Sequence, residues 1–264
     1  MPRKPMSYVR IIEDTFFAVC RYWGGLQNAF DVFGPVRAMQ TGIASADLNM
    51  VWSESPLTQG DAPCVRQVEK YYETESLPYW WWIFPRAKTA ETIRLLKDTG
   101  HVHLLNMPCL LADLSALPKA KSCGPPATIR EVGNQEDLAL WQEVTFAGFD
   151  FPPGDKISHD RFTGSFSLDP GSSQKAFLAF DGGRPVAASL LFLAGNAAGL
   201  YFITTLGEYR RRGIGRKLVL ATMHHARAAG ARYASLQSSP DGLTVYEQAG
   251  FKEFCRVDIY GRKG

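Results

Sequence analysis

The stretch Gly199–Gly215 reads G-L-Y-F-I-T-T-L-G-E-Y-R-R-R-G-I-G, and the prediction of the whole fold starts from it. Its first part, Leu200–Thr205, is an apolar and β-branched run that predicts a buried strand. A polar turn follows, and after three arginines a helical pattern begins at Ile214. N–H groups at the start of a helix have no partner inside it, and with the helix dipole they favour an anion such as phosphate. Two glycines separated by one residue let the backbone approach such a ligand closely.

The composition is that of a globular protein. Of the 264 residues, 45% are hydrophobic and 21% are charged, which provides ample apolar material for a core. The net charge of +3 is too small to indicate a nucleic-acid or membrane partner by itself. The five cysteines are scattered without a CxxC pair, which favours reduced thiols over a disulfide framework. No run reaches the ~18 apolar residues of a membrane span, and Glu13 and Asp14 interrupt any signal-like apolar core. We therefore expect a soluble, cytoplasmic protein without a membrane partner.

The second half of the chain carries further turn and cap signals. Asn134 is predicted to cap a helix. Asp181-Gly182-Gly183 lies between two apolar runs and predicts a hairpin. Ser239-Pro240-Asp241 predicts a helix start with Ser239 as the cap. The stretch Gly148–Gln174 is interpreted as a long loop with one short helix, and loops of this kind often bind ligands.

Two motifs in this half are similar to those of a known family. Arg210-x-x-Gly213-x-Gly215 resembles the acetyl-coenzyme A site of the GCN5-related N-acetyltransferases, whose pattern after the fourth strand is Arg/Gln-x-x-Gly-x-Gly/Ala. Gly242–Phe251 resembles the later family pattern Leu-Tyr-Glu-Lys-x-Gly-Phe. The predicted order β-α-loop-β-β-β-α-β-α-β over Thr128–Tyr260 is also that of the family. The resemblance implies an α+β fold with a mixed α/β sheet, the acyl-CoA N-acyltransferase fold, in two similar domains in tandem.

The first half matches the family only in outline. A helix over Ser7–Tyr22 is expected to end at Trp23-Gly24-Gly25. Further on, a strand, a helix and a strand follow in an order similar to that of Leu200–Gln237. Their segments are Tyr79–Phe84, Thr89–Thr99 and His101–Leu105.

This repetition divides the chain into two predicted domains. Residues 1–120 are interpreted as a degenerate acetyltransferase-like domain, and residues 128–264 as the domain that binds acetyl-coenzyme A. The polar and then Pro-rich Lys119–Ala127 is the predicted linker. In the first half the segment that matches the glycine loop is Pro85-Arg86-Ala87-Lys88, whose proline and lack of glycine make a poor phosphate site. No cofactor is expected there, and this half is expected to shape the acceptor site.

Two groups in the first half admit more than one interpretation. Trp80-Trp81-Trp82 could line an acceptor pocket, since aromatic rings stack on planar or cationic groups. Core packing is favoured, because alternate side chains of a strand face the core. His101 and His103 lie on one face of a strand and could bind a metal, but no cluster of Cys, Asp or Glu accompanies them, and no metal is expected.

The resemblance also assigns roles to residues of the second half. The pyrophosphate would rest on the N–H groups of Arg211–Gly215, and the pantetheine amides would pair with the open edge of Ile203–Thr205. Tyr246 would donate a proton to the departing thiolate as the general acid, with core packing as the alternative. Ser239 stands where many family members have Asn, and a serine can still hydrogen-bond the cofactor. The predicted cofactor-binding residues are Ile203, Thr204, Thr205, Arg210, Arg211, Arg212, Gly213, Ile214, Gly215 and Ser239.

A general base is not evident from the sequence. Family members often use a carboxylate on the fourth strand, and Leu200–Thr205 has none. Glu208, in the turn that follows, is expected to be solvated. The remaining candidates, which stay unranked, are Asp150, Asp155, His159 and Asp241.

The predicted activity is acetyl transfer from acetyl-coenzyme A to a primary amine of a small molecule or peptide, by direct attack. The alternative from another class is a coenzyme A-binding regulatory or scaffold protein without turnover, which the absence of an evident base motivates. The basic run Arg210–Lys217 would also suit nucleic acid. Coenzyme A explains one short cluster at a pyrophosphate site better, so no nucleic-acid partner is expected. The identity of the acceptor and a homodimer are left open.

Overall fold

The computed structural model describes residues 7–117 and 127–262. By its internal contacts the described chain divides into two compact units. Unit one comprises the described residues of 1–19 and 110–254, and unit two comprises residues 20–109 and the described residues of 255–264. All but the last residue of the predicted linker Lys119–Ala127 lies outside the described residues, and the predicted domain boundaries stay a prediction. Among the described helices, none has the length and apolar composition to cross a bilayer.

Helices and strands alternate through most of the described chain. The helices are α1 Tyr8–Leu26, α2 Ala62–Glu75, α3 Ala90–Asp98, α4 Gln135–Gly148, α5 Lys156–Gly164, α6 Ile214–Ala228 and α7 Leu243–Gln248. The strands are β1 Phe30–Phe33, β2 Val36–Met39, β3 Met50–Ser53, β4 Trp80–Ile83, β5 His101–Asp113, β6 Thr128–Glu131, β7 Gln174–Asp181, β8 Arg184–Ala194, β9 Ala197–Thr205, β10 Tyr233–Gln237 and β11 Lys252–Arg262.

Unit one is built on a mixed sheet with the strand order β5-β10-β9-β8-β7-β6, to which β5 contributes its last residues, 110–113. Strands β6 to β9 pair antiparallel in succession, and β10 pairs with β9 in parallel. The crossover from β9 to β10 is α6, whose Ile214, Leu218 and Met223 belong to one core with Leu200 of the sheet. The helical spacing of apolar residues that predicts α6 is therefore the face that covers the sheet.

Unit two has the strand order β1-β2-β3-β4-β11-β5, with residues 255–262 of β11 and residues 101–109 of β5. Strands β1 to β3 pair antiparallel, β3 and β4 pair in parallel across α2, and β4 pairs antiparallel with β11. The core of this unit includes Val51 of β3, Val65 of α2 and Trp81 of β4. Trp81 and Trp82 are both buried, which agrees with core packing as the role of the tryptophan triplet.

The predicted end of the first helix is wrong. Helix α1 continues through Gly24 and Gly25 to Leu26. A Cβ at Gly24 would lie 2.7 Å from the Cβ of Phe30, so glycine lets the following strand pack directly against the helix. This packing outweighs the roughly 1 kcal/mol that a glycine costs inside a helix.

The structural parallel between the two halves lies one element earlier than predicted. In unit two the parallel crossover is β3–α2–β4, because β4 pairs in parallel with β3 and β11 separates β4 from β5. The segment that precedes the crossover helix is therefore residues 54–61, and not Pro85-Arg86-Ala87-Lys88. Residues 54–61 contain one glycine, Gly60, and α2 has a proline in its first turn. The interpretation of this half as a degenerate domain stays a prediction.

Candidate active site

Strands β9 and β10 part from each other soon after they begin. Among the described residues they pair only at Tyr233↔Ala197, Ala234↔Ala198 and Ser235↔Gly199. Beyond this point β9 continues to Thr205 with β8 as its partner on the other side. Within the described part of the chain, the segment Ile203–Thr205 therefore has no strand partner on the side of β10.

A bulge in β9 lies where the two strands part. The register of β8 against β9 skips one residue of β8 and two residues of β9, Phe202 and Ile203. Phe202 has a φ of 47°, in the left-handed region that a phenylalanine seldom adopts. The skipped residue of β8 is Ser189, whose carbonyl accepts a hydrogen bond of 3.1 Å from Trp141 Nε1 of α4. Because a bulge disrupts the ladder and bends the strand, β9 bends at this point, and its pairing with β8 resumes at Thr204.

The loop between β9 and α6 ends in a helix start with free amide groups. Gly213 is the N-cap of α6 and has a φ of 78°, which glycine adopts without strain. Among the described residues the N–H groups of residues 211–216 have no hydrogen-bond acceptor, and the first amide bond is Lys217 N–H to the Gly213 carbonyl, at 3.0 Å. A Cβ at Gly215 would lie 3.2 Å from Thr205 Oγ1, so α6 begins close against the end of β9.

The three arginines of the loop have three different environments. Arg210 donates through Nε to the Thr205 carbonyl, at 2.9 Å, and through Nη2 to the Gly148 carbonyl, at 3.4 Å. Arg212 pairs with Asp181 at 3.3 Å, and its guanidinium lies 5.1 Å from the ring centre of the neighbouring tyrosine at position 209. Arg211 is exposed and makes no ion pair with a described residue. Arg210 thus holds the loop to the end of β9, while Arg211 remains available to a ligand.

Tyr246 lies on α7 and is half-buried. Its ring covers Gly242, where a Cβ would approach to 2.7 Å, and its centre lies 6.0 Å from that of Phe251. The hydroxyl makes no hydrogen bond to a described residue. Burial raises the pKa of Tyr246 to about 12, so the phenol keeps its proton at neutral pH.

Ser239 does not have the capping role that the sequence predicts. It precedes a short 3₁₀ turn, Pro240–Gly242, and its side chain makes no capping hydrogen bond. Two donors, Gly242 N–H and Ser238 Oγ, reach its carbonyl instead. The Ser239 hydroxyl is exposed.

The candidate bases are not gathered in one place. Glu208 is exposed and pairs with Arg184 at 3.2 Å, as expected for a solvated residue. His159 is fully buried, and its two ring nitrogens contact Thr145 Oγ1 and Asp160 Oδ1, each at 3.1 Å. Burial also lowers the pKa of His159, so this ring is a neutral core group and not an accessible base. The three other candidate bases are carboxylates in separate loops: Asp150 follows α4, Asp155 precedes α5 and Asp241 precedes α7.

Sequence reasoning missed a cluster of aromatic rings beside the bulge. Phe202 packs against Trp141, with ring centres 5.5 Å apart, and against Phe149, with centres 5.9 Å apart. Phe149 in turn contacts Phe151, at 5.9 Å, and Phe151 contacts Phe146, at 6.0 Å. The sequence contains a signal for this cluster, since three phenylalanines occur within residues 146–151.

The two histidines of β5 lie outside this site. His101 is buried and contacts the Tyr79 hydroxyl at 3.0 Å through Nε2. His103 is exposed, with Nε2 3.7 Å from Asp258 Oδ1. Within residues 7–117 and 127–262, no three side chains of metal-ligating type come together.

Comparison with known proteins identifies a domain and a fold. Residues 138–251 match the model of the acetyltransferase (GNAT) family. A GCN5-related N-acetyltransferase from Kribbella flavida has a similar structure, with a TM-score of 0.70, 18% identity, and coverage of 95% of this chain and 96% of that chain. A GCN5-related N-acetyltransferase from Sphaerobacter thermophilus gives a TM-score of 0.64 at 16% identity, over 87% of this chain and 78% of that chain.

A tandem GNAT protein from the clavulanic acid biosynthesis pathway gives a TM-score of 0.58 at 12% identity, over 86% of this chain and 77% of that chain. At these identities the likeness concerns the fold alone. A search of curated proteins gives no significant match. The predicted fold class, an acyltransferase fold with a mixed α/β sheet, is confirmed.

Proposed function

We propose that the protein is an N-acetyltransferase, on the premise that residues 138–251 form an acetyltransferase domain of the GNAT family. The predicted enzyme class, an acyltransferase, is confirmed by that domain. The donor in this proposal is acetyl-coenzyme A, the acceptor is a primary amine, and the amine attacks the thioester directly. The working site lies in unit one, at the open edge of β9 and the start of α6.

The free amide groups of residues 211–216 are the observation that carries the proposal. A diphosphate requires several donors and positive charge, and these amides lie at the positive end of a 15-residue helix. Gly213 leaves its amide uncovered by a side chain, and Arg211 adds an exposed positive charge. These residues fit the pyrophosphate of coenzyme A, and we assign Arg210, Arg212, Ile214 and Gly215 to the same subsite.

The open side of β9 suits the pantetheine arm. An extended chain can pair with an unpaired strand edge through its amides, and Ile203–Thr205 offers such an edge. A backbone N–H near the bulge can donate to the thioester oxygen and stabilise the negative charge that develops there. Ser239, with its exposed hydroxyl, is proposed to hydrogen-bond the same arm.

Tyr246 is proposed as the general acid. As the bond from the amine nitrogen to the acetyl carbon forms, the bond from that carbon to sulfur breaks, and the Tyr246 hydroxyl donates its proton to the sulfur. Its raised pKa keeps the hydroxyl protonated and ready to donate at neutral pH. The attacking nitrogen releases one proton to water as the amide forms, and the phenolate takes up a proton from water, so the step leaves a neutral amide, a free thiol and a neutral phenol.

The amine must arrive without its proton, and no base in the described site is evident. His159 is buried and Glu208 is paired with Arg184, so the amine is proposed to lose its proton to water before it attacks. The same observation favours a second candidate function, a coenzyme A-binding regulatory or scaffold protein without turnover.

Two measurements separate these functions. Calorimetry with acetyl-coenzyme A should give saturable binding at one site, and no binding would contradict both functions. Thiol release with a panel of amines should then show turnover. Binding without release on any amine would favour the regulatory or scaffold function.

A further inference from the structure

The loop that follows α4 carries aromatic side chains from the bulge of β9 to the protein surface. Phe202, on the bulge, is 7% exposed, whereas Phe149 is 43% exposed. The two rings meet edge to face, with centres 5.9 Å apart and an angle of 86° between their planes. Phe151 extends the row at 5.9 Å from Phe149. The informative feature is the continuous row of rings that leads from the buried Phe202 to the surface, and not the exposure of one side chain.

This loop is fixed to the strand on which the thioester is proposed to lie. The Gly148 carbonyl accepts hydrogen bonds from Thr204 Oγ1, at 2.9 Å, and from Arg210 Nη2, at 3.4 Å. A Cβ at Gly148 would lie only 2.5 Å from Thr204 Oγ1, so only glycine permits this contact. Phe149, the next residue, is therefore held at a set position beside β9.

One lysine of α5 pairs with two carboxylates. Lys156 pairs with Glu143 at 2.9 Å and with Asp160 at 2.6 Å. His159 is buried against Phe146 and Phe151, where burial keeps it neutral. The exposed carboxylate of the loop is Asp150, between the two phenylalanines at positions 149 and 151. The loop thus presents apolar rings and two carboxylates, the exposed Asp150 and the half-buried Asp155.

We infer that the acceptor is a primary amine with an aromatic body, whose ring packs on Phe149 and Phe151. This inference rests on the proposed function and names the substrate class of the same site. An aromatic amine buries its ring against the two phenylalanines and needs one carboxylate, Asp150, for its ammonium group on arrival. A polyamine or a free amino acid such as lysine has no ring to bury against the two phenylalanines.

The test measures turnover of amines with aromatic and with non-aromatic side groups, each at a saturating concentration of acetyl-coenzyme A. The ratio kcat/KM for 2-phenylethylamine should exceed that for spermidine and for lysine by at least about tenfold. Phe149→Ala should raise KM for 2-phenylethylamine about tenfold and leave KM for acetyl-coenzyme A unchanged. Ile157→Ala is the control, because Ile157 is 74% exposed and belongs to the neighbouring helix α5, and it should change neither KM.

Two results would overturn the inference while the proposed function stands. One is faster turnover of spermidine or lysine than of 2-phenylethylamine. The other is an equal effect of Phe149→Ala on every amine and on acetyl-coenzyme A, which would make the ring a structural group. If no amine is turned over, the proposed function fails, and calorimetry of the coenzyme A-loaded protein decides the inference separately. Tighter binding of 2-phenylethylamine than of spermidine, lost in Phe149→Ala, would support it, and any other order would contradict it.

Discussion

Gly213 and Gly215 meet two different structural requirements, one of backbone conformation and one of space. Gly213 has a φ of 78°, so any other residue there is strained. Gly215 has an ordinary helical backbone, and a methyl group there would lie 3.2 Å from Thr205 Oγ1, in the space between α6 and β9. Gly213 therefore allows the backbone conformation of the loop, and Gly215 allows α6 to begin close to the end of β9.

Alanine at the two glycines should have distinguishable effects. Gly213→Ala should lower the free energy of unfolding by about 1 kcal/mol and weaken acetyl-coenzyme A binding. Gly215→Ala should weaken binding with little loss of stability, since alanine favours the helix. Urea denaturation and calorimetry measure the two quantities. Gly133→Ala, where a Cβ has open space, is the control that should change neither. If Gly215→Ala bound acetyl-coenzyme A as tightly as the wild type, a close approach of the cofactor to the backbone at Gly215 would be contradicted.

Replacement of Tyr246 tests the general acid. Tyr246→Phe removes only the hydroxyl, so kcat should fall by about 10²-fold or more while KM for acetyl-coenzyme A stays nearly constant. With a pKa of about 12, the phenol loses its proton only as pH rises through that value. The wild-type kcat should therefore show no alkaline decline between pH 8 and about pH 10. Tyr233→Phe, on β10, is the control, and an unaltered rate in Tyr246→Phe would remove Tyr246 as the acid.

His101 should make the stability depend on pH. Burial, assisted by the positive charge of Arg262, lowers the pKa of His101 to about 4 in the folded state. An unfolded histidine takes up its proton near pH 6.5. As pH falls from about 6.5 to 4, His101 is protonated in the unfolded state but not in the folded state. The free energy of unfolding therefore decreases over this pH range. The loss should reach about 3 kcal/mol at most and then level off.

The measurement is urea denaturation of the wild type and of His101→Gln at pH 7.5 and pH 4.5. The variant should lose clearly less stability than the wild type between the two pH values. His103→Gln, which replaces an exposed histidine two residues further along the same strand, should behave like the wild type. Equal losses in wild type and His101→Gln would show that other groups cause the acid sensitivity.

At the scale of elements, two helix starts with similar sequence signals differ in the structure. Asn134 accepts a hydrogen bond from Asp137 N–H at 2.8 Å and caps α4, as predicted. Ser239 makes no such bond before α7. Asn134 directly precedes α4, whereas a 3₁₀ turn separates Ser239 from α7.

Alanine at these two positions should separate capping from binding. Asn134→Ala should lower the free energy of unfolding by about 1 kcal/mol and leave acetyl-coenzyme A binding unchanged. Ser239→Ala should leave stability unchanged and raise KM for acetyl-coenzyme A if the hydroxyl contacts the cofactor. Thermal denaturation with matched kinetics checks both. A loss of stability in Ser239→Ala equal to that in Asn134→Ala would contradict the structural difference.

At the scale of the whole molecule, the chain does not divide at one point. The start of α1 belongs to unit one, where the Tyr8 ring contacts Tyr233 and Phe254 at 5.8 and 4.7 Å between centres. The last part of β11 belongs to unit two, where it pairs with β4. Because each unit combines two separate segments of the sequence, experiments on either unit are best done with the full chain.

Hydrogen exchange of the full chain tests whether only unit one binds the cofactor. Saturating acetyl-coenzyme A should slow deuterium uptake in residues 200–217 and 239–246, because a ligand protects the amides that it covers and stabilises the unit that it binds. Uptake in β1–β3 of unit two should stay unchanged. Equal protection of residues 54–61, which precede the crossover helix of unit two, would contradict a single working site.

The sequence by itself determined the second half element by element, together with the glycine loop at the start of α6. These features depend on neighbours along the chain: alternation in β7 to β9, helical spacing in α6, a glycine at a positive φ and an asparagine that caps α4. Each signal acts within a few residues, so a linear pattern contains it.

Only the tertiary structure decided how these elements make a site. The bulge at Phe202 depends on Ser189 and Trp141, and the position of the aromatic loop depends on the contact of Gly148 with Thr204. The burial of His159 and the continuation of α1 past Gly24 depend on residues that pack against them from other elements. Such contacts join residues far apart in the chain, and their energies arise only when the fold brings the partners together.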